Sequence, residues 1–289
     1  MKYEAIRGFS QEFTVGKMCK VLNLTSGSYY QWLKRMEGRE NKRKAEQESV
    51  SQIVEIFETN RKTYGYRRMY QAMLEKGYEI SEYKVRKHMR EAGLYPVTRV
   101  KYKAYHYGKK TGRYFENKVN REFRPEGFNE IWAGDITYIK TALGWVYLSV
   151  VMDLYNREVV GYSVSKSIDT ELVKRALGNA LARTAKGSKE ITFHSDRGTQ
   201  YCSKGFQKML IDNGFEISMS RPGCPYDNAC VESFFSTAKR ECIYRREYVT
   251  IEEVKRDLFV YIELFYNRKR MHRTLGYKSP IEYRLSKLA

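Results

Sequence analysis

The spacing of apolar residues changes character along the 289-residue chain, and each change predicts a different kind of element. Near the start, Val15, Met18, Cys19 and Leu22 recur at helical spacing, and after Asn23-Leu24-Thr25 a second helical segment carries Tyr29, Trp32 and Leu33. Two short helices joined by a tight turn predict a helix-turn-helix-like segment over 1–50, or a small interaction bundle of the same shape. The charged stretch from Lys34 to Glu48 reads as a connector to a second helical, DNA-binding-like unit over 51–95. There, Ser81 is placed to cap a helix and Gly93 to end it. Val85 and Met89 face inward on that helix, and Arg86, Lys87 and Arg90 form a positive outer stripe, to which Arg67 and Arg68 add charge. The alternative reading of the stripe is an ordinary solvated face.

From Tyr95 to Lys118 neither period is visible, and basic residues alternate with Tyr102, Tyr105, Tyr107 and Tyr114, so residues 96–124 read as a basic, Tyr-rich linker that orders on DNA. His88 and His106 read as phosphate neighbours or bystanders rather than metal ligands. After Pro125 the pattern turns to strands. Ile131–Lys140, Trp145–Met152 and Glu158–Ser165 predict an antiparallel meander. A helix over Asp169–Ala185, a strand at Ile191–His194, a helix from Ser203 to Asn213 and a strand at Phe215–Ser218 follow. Strands with interposed helices of these lengths predict a mixed α/β sheet flanked by helices over 125–289, closed by a C-terminal helix with Leu258, Tyr261, Ile262 and Phe265 on one face.

Charge sharpens the division. The chain carries a formal +19, of which residues 1–118 supply +13 from 26 Lys and Arg against 13 Glu, and all seven Asp lie at or after Asp135. A polyanionic partner follows, nucleic acid first, with the front of the chain holding it. Five cysteines, odd in number and without a C-x-x-C pair, predict neither a zinc site nor a disulfide framework, and so a reduced, cytoplasmic compartment. The longest apolar stretch, near Val146–Met152, is far too short to span a bilayer.

Three carboxylates carry the candidate chemistry. Asp135 sits inside a strand pattern, where Asp is disfavoured, and Asp196 ends one just before Arg197-Gly198. Glu232 lies on a helix whose Val231, Phe234, Phe235 and Ala238 form the core face, and it heads the adjacent stripe with Ser236 and Lys239. Such a trio can converge on a pair of Mg²⁺ ions that activate water or a 3′-hydroxyl against a phosphodiester. Asp153, in a turn after the second strand, competes for the role but reads as structural, and His194 reads as a packing neighbour.

The words around these residues resemble a retroviral-integrase-type, RNase H-like catalytic core, and specifically the transposases encoded by the second reading frame of IS-three-type bacterial insertion sequences. They are Trp132-x-x-Asp135-Ile-Thr-Tyr, His194-Ser-Asp196-Arg-Gly-x-Gln200-Tyr201, Asp227-Asn-Ala-x-x-Glu232-Ser-Phe-Phe and Tyr266-Asn267-x-x-Arg270-x-His272. At the front, Met18-Cys19-x-x-Leu22 and Tyr64-Gly65-Tyr66-Arg67-Arg68 match as well. The resemblance implies that Asp135, Asp196 and Glu232 are the catalytic, metal-binding triad, with two Mg²⁺ ions and Mn²⁺ able to substitute. Lys239 takes the family's basic position seven residues after the Glu. The segment with Asn267, Arg270 and His272 contacts DNA or braces the core. The implied partners are double-stranded DNA at element ends and target, further copies of the chain as a homo-oligomer on DNA, and an upstream reading-frame product in fusion or complex. No leucine-heptad segment resembling that product is present, which predicts weak end-specific binding by this chain alone. The implied reaction is strand cleavage followed by strand transfer at a nucleoid-associated location. A same-fold nuclease that never joins, and a catalytically silent DNA-binding regulator, are the competing readings.

Overall fold

A computed structural model describes residues 1–97, 114–120, 125–184, 191–221 and 225–288. Two compact units emerge, one of Met1–Thr59 with Gly65–Tyr95 and the other of Asn60–Tyr64 with Pro96–Ala289.

The first unit is helical. Helices α1 (Lys2–Gly8) and α2 (Val15–Val21) close with the start of α3 (Ser26–Thr59) around Ile6, Cys19 and Tyr29. The connector expected over Lys34–Glu48 is instead the middle of α3, which runs through the boundary placed at residue 50. Lys, Arg, Glu, Gln and Ala dominate that stretch and all propagate a helix well, so high charge there marks a solvated helix rather than a loop. Helices α4 (Tyr66–Glu75) and α5 (Glu82–Glu91) pack on the end of α3. As the sequence predicts, the Ser81 side chain caps α5 by accepting from Lys84 N, and Gly93 follows the helix with φ +65°. Val85 and Met89 are buried.

The second unit is built on a five-stranded mixed sheet. Its strands β1 (Ile131–Thr141), β2 (Gly144–Asp153), β3 (Val159–Ser165), β4 (Ile191–Ser195) and β5 (Phe215–Met219) lie in the order β3-β2-β1-β4-β5. The first three form the antiparallel meander, and β4 pairs parallel to both β1 and β5. Helices α6 (Thr170–Arg183) and α7 (Lys204–Asp212) cover one face, over Trp132, Val151 and Phe193. Helices α8 (Ala229–Glu241) and α9 (Ile251–Phe259), with a π-helical continuation at Val260–Tyr266, cover the other, over Ala133, Leu148 and Val150. A final helix, α10, spans Pro280–Leu288. Each fully buried Leu, Val or Phe in these two cores contributes about 1.5–3 kcal/mol, so the sheet is rigid at its centre.

Two glycines are demanded by close approach. A Cβ at Gly134 would stand 2.6 Å from Phe193 Cζ, and one at Gly161 would stand 2.4 Å from the Ala176 carbonyl oxygen where α6 crosses β3. Of the expected Tyr-rich linker, Tyr102, Tyr105, Tyr107 and His106 lie outside the described residues. Its described part, 114–120, runs beside β5: Met219 N donates to the Glu116 carbonyl, Lys118 N donates to Ser218 Oγ, and Val119 is buried. An apolar Val119 and a paired Asn117 give that stretch a core-side anchor, so it is packed structure rather than free linker.

Candidate active site

Asp135 occupies the middle of the central strand, opposite Val150. Alternation along β1 puts it on the face of Ala133 and Ile139, the face covered by α8. Asp196 is the first residue after β4. Because β4 runs parallel to β1 with Gly134 beside Ser195, the next position on each strand is an aspartate. The two carboxylates are thereby neighbours although 60 residues separate them. Gly198 N donates to Asp196 Oδ1 at 2.9 Å, and Ile136 N donates to Asp135 Oδ1 at 2.7 Å.

Glu232 lies one residue along α8 from the buried Val231 and is exposed, as is Asp196. Asp135 reaches solvent only in part, and its carboxyl is hemmed in by protein. Its pKa is pushed well above the usual carboxylate range, first by burial, then by the charge of Asp196 and also by that of Glu232, with Lys239 pulling the other way. Lys239 is half-buried two turns after Glu232, its Nζ 4.8 Å from the centre of the Tyr138 ring. Burial lowers its own pKa, against the pull of Asp135. Three carboxylates therefore act on one another here, with one partly desolvated lysine as counter-charge. Oxygen ligands carrying excess negative charge suit a hard divalent cation. As the side chains stand, no three His, Cys, Asp or Glu among the described residues close into a ready-made metal cage.

One position that the sequence showed only inside a motif word takes a structural part beside these residues. Asn228 stands immediately before α8, where an asparagine ordinarily caps the helix with its own side chain. It makes no such cap, and its buried Nδ2 instead donates to the Gly134 carbonyl at 3.2 Å, tying the start of the Glu232 helix to the residue before Asp135. Its neighbour Asp227, also buried, accepts from Asn117 Nδ2 and Arg221 N. In the sequence, Asp227 and Asn228 stood out only as part of the word Asp227-Asn-Ala-x-x-Glu232, which names neither of their partners.

Asp153, the competing carboxylate, and His194, the expected packing neighbour, fall outside the cluster. Asp153 is buried at the end of β2, opposite Trp132 near the start of β1, and accepts from Asn129 N and Tyr155 N at 2.8 Å, a clamp on two turns. Burial lifts its pKa to about 6. His194 is buried between Ser218 Oγ and Ser220 Oγ, at 2.9 and 3.1 Å, and desolvation pushes its pKa down to about 4, so it is neutral at pH 7.

Comparison with known proteins gives the family. Two integrase core domain models match residues 125–225 and 213–280, and an HTH-like domain model matches 44–102. Over 289 residues, all of both chains, the sequence is 36% identical to transposase InsF for insertion sequence IS3A of Escherichia coli (strain K12). The chain belongs to the IS3 family of insertion-sequence transposases. A second transposase, for insertion sequence element IS904 of Lactococcus lactis subsp. lactis (strain IL1403), is 37% identical over 86% of this chain and 98% of its own length. Among solved structures, the HTLV-2 integrase catalytic core domain in complex with magnesium aligns with a TM-score of 0.40 at 17% identity, over 55% of this chain and 99% of its own. The catalytic domain of Mos1 mariner transposase aligns with a TM-score of 0.39 at 17% identity, over 46% of this chain and 70% of its own.

In this transposase the expected DNA-contact residues divide. Arg67, Arg86 and Arg90 are exposed, Arg68 and Lys87 half-buried. Arg67 and Arg86 both lie against the Tyr66 ring, at 5.5 and 5.6 Å, and Lys87 pairs with Glu91 at 3.8 Å. His88 is buried and turned toward Glu46 and Glu91, so it does not face a phosphate. Arg270 is corrected outright as a DNA contact. It is 4% exposed and grips Glu241 with Nε and Nη2 at 2.7 and 2.9 Å, an interior ion pair completed by the Tyr261 hydroxyl donating to Glu241. Asn267 likewise braces, exchanging two 3.0 Å hydrogen bonds with the backbone of Val159 on edge strand β3. Polar residue types near a terminus resemble a nucleic-acid surface in sequence; here packing turns them inward. Among the described residues no helix is long and apolar enough to cross a membrane.

Proposed function

We propose that this chain catalyses divalent-metal-dependent DNA strand cleavage and strand transfer of an insertion sequence, with Asp135, Asp196 and Glu232 as the metal-binding triad. The observation that carries this reading is the perturbation of Asp135, whose carboxyl is raised by burial and by the charges of Asp196 and Glu232. Like charges gathered against a buried group cost stability unless a cation belongs between them. Asp135, Asp196 and Glu232 would hold Mg²⁺, two ions by expectation and replaceable by Mn²⁺, which would supply a lowered water pKa and charge stabilisation for phosphodiester chemistry. The chain does the remainder. Strands β1 and β4 hold Asp135 and Asp196 in register, Asn228 sets α8 against β1, and Glu232 faces the solvent side from which a DNA strand approaches. Lys239, half-buried on the same helix, presents its ammonium to the phosphate beside the cut. Double-stranded DNA is the substrate as element end and as target. Further copies of the chain and an upstream reading-frame product are the proposed partners, in the cytoplasm at the nucleoid.

The test uses duplex oligonucleotides carrying the element's own ends, pre-cleaved to expose a 3′-hydroxyl, with Mg²⁺. Joined products should form with the natural chain and fall by at least about 1,000-fold in Asp135→Asn, Asp196→Asn and Glu232→Gln. Saturating Mg²⁺ should also raise the melting temperature of the natural chain and not of Asp135→Asn. Cleavage without joining would select the nuclease, and unaltered joining by Asp196→Asn would remove the assignment of the triad.

A further inference from the structure

Helix α3 is buried at both ends and solvated between them. At its start, Tyr29 is buried with Trp32 and Leu33 half-buried, against Cys19 of α2 and Ile6 of α1. At its end, Ile53, Ile56 and Phe57 are buried where α4 and α5 pack. Every residue from Glu37 to Glu48 is exposed. The 34-residue helix thus belongs to two helical bundles at once, as the last helix of the first and the first helix of the second. Each bundle has the helix, tight turn, helix form: α2 and α3 turn through Asn23 at φ +56°, α4 and α5 through Gly77 at φ +81°.

The spacing is set by helix geometry. Tyr29 and Ile53 are separated by about 36 Å at 1.5 Å per residue. Two major-groove segments one DNA turn apart lie about 34–36 Å apart. At about 100° per residue, the outward direction of the first bundle, marked by exposed Tyr30, Gln31 and Lys34, lies about 90° from the direction in which Ile53, Ile56 and Phe57 point to the second bundle. The second bundle thus stands a quarter turn from that outward face and not behind it. The second presents exposed Tyr83, Lys84, Arg86 and Arg90 on α5. Residues 1–95 carry 19 Lys and Arg against 12 Glu and no Asp, the sign a phosphate backbone requires.

We propose that the first unit reads double-stranded DNA at two major-groove segments about one helical turn apart, the start of α3 in one and α5 in the other, with Glu37–Glu48 as a rigid spacer. The inference rests on the reading that the chain acts on DNA, and it assigns that DNA a two-block site. The full chain, in EDTA so that no strand is cut, should enrich from a random duplex library sequences with two blocks whose centres lie about 10–11 base pairs apart. Five base pairs inserted between the blocks should weaken binding of the natural chain about 100-fold. Two alanines inserted between Asn41 and Lys42 turn the second bundle by about 200° and should weaken two-block binding equally, leaving single-block affinity within about two-fold and helicity by circular dichroism unchanged. Enrichment of one contiguous block, or of none, overturns the proposal, as does two-block affinity indifferent to the five-base-pair insertion. A single-block result leaves the joining assay to judge the catalytic reading by itself.

Discussion

Arg270 offers the sharpest separation between a residue that touches DNA and one that holds the fold. In Arg270→Met the side chain keeps its bulk and loses its charge, so Glu241, 2% exposed, loses its bidentate cation while the Tyr261 hydroxyl and the partly exposed Arg240, at 3.8 Å, stay beside it. Breaking a buried ion pair from one side leaves an uncompensated charge and costs about 3–5 kcal/mol. For a unit of this size each kcal/mol moves the melting temperature by about 2–4 °C, so a fall on the order of 10 °C is expected. Replacing both partners, as Arg270→Met with Glu241→Leu, removes the stranded charge and leaves the Tyr261 hydroxyl unpaired, a cost of about 1–3 kcal/mol. The double variant should therefore melt above the single one. Thermal unfolding by circular dichroism measures both, and duplex DNA affinity below the transition should change less than two-fold in each. A single variant that melts with the natural chain, or one that stays folded while losing ten-fold in DNA affinity, would refute the bracing role.

Gly134→Ala should destabilise by about 1–3 kcal/mol and cut strand joining, because the added methyl meets the Phe193 ring at the strand position just before Asp135; normal melting and normal joining would sink this account. His194 is neutral when folded with a pKa near 4 and titrates near 6.5 when unfolded, so the unfolded chain binds more protons between those values and stability rises with pH across that window. The gain is roughly 3 kcal/mol, and urea unfolding of the natural chain and His194→Gln between pH 4.5 and 7 should diverge by that amount; parallel curves would contradict it.

Local order was readable wherever one element settled it. The stripe of Val231, Phe234, Phe235 and Ala238 predicted the buried face of α8, and all four are buried there. The meander was readable because its turns are short and its strands alternate. What failed shares a cause, since a charged residue carries no mark in sequence of whether it will be solvated or paired inside. Lys34–Glu48 looked like a connector and is helix, and Arg270 looked like a surface cation and is enclosed by Glu241, Tyr261 and Tyr266.

By itself the sequence determined the α/β sheet with its helices, the basic helical front, and the identities and local settings of Asp135, Asp196 and Glu232, because periods of 2 and 3.6 and the chemistry of single residues are local properties. Tertiary structure alone decided that Asp135 and Asp196 stand side by side, through the parallel register of β1 with β4, and that Glu232 is held near them through Asn228 and the Gly134 carbonyl. It also decided that one helix serves two bundles, because Ile53, Ile56 and Phe57 find their partners on α4 and α5. Register across non-adjacent strands and the sharing of one helix depend on contacts between distant residues, and no window along the chain contains both sides of such a contact.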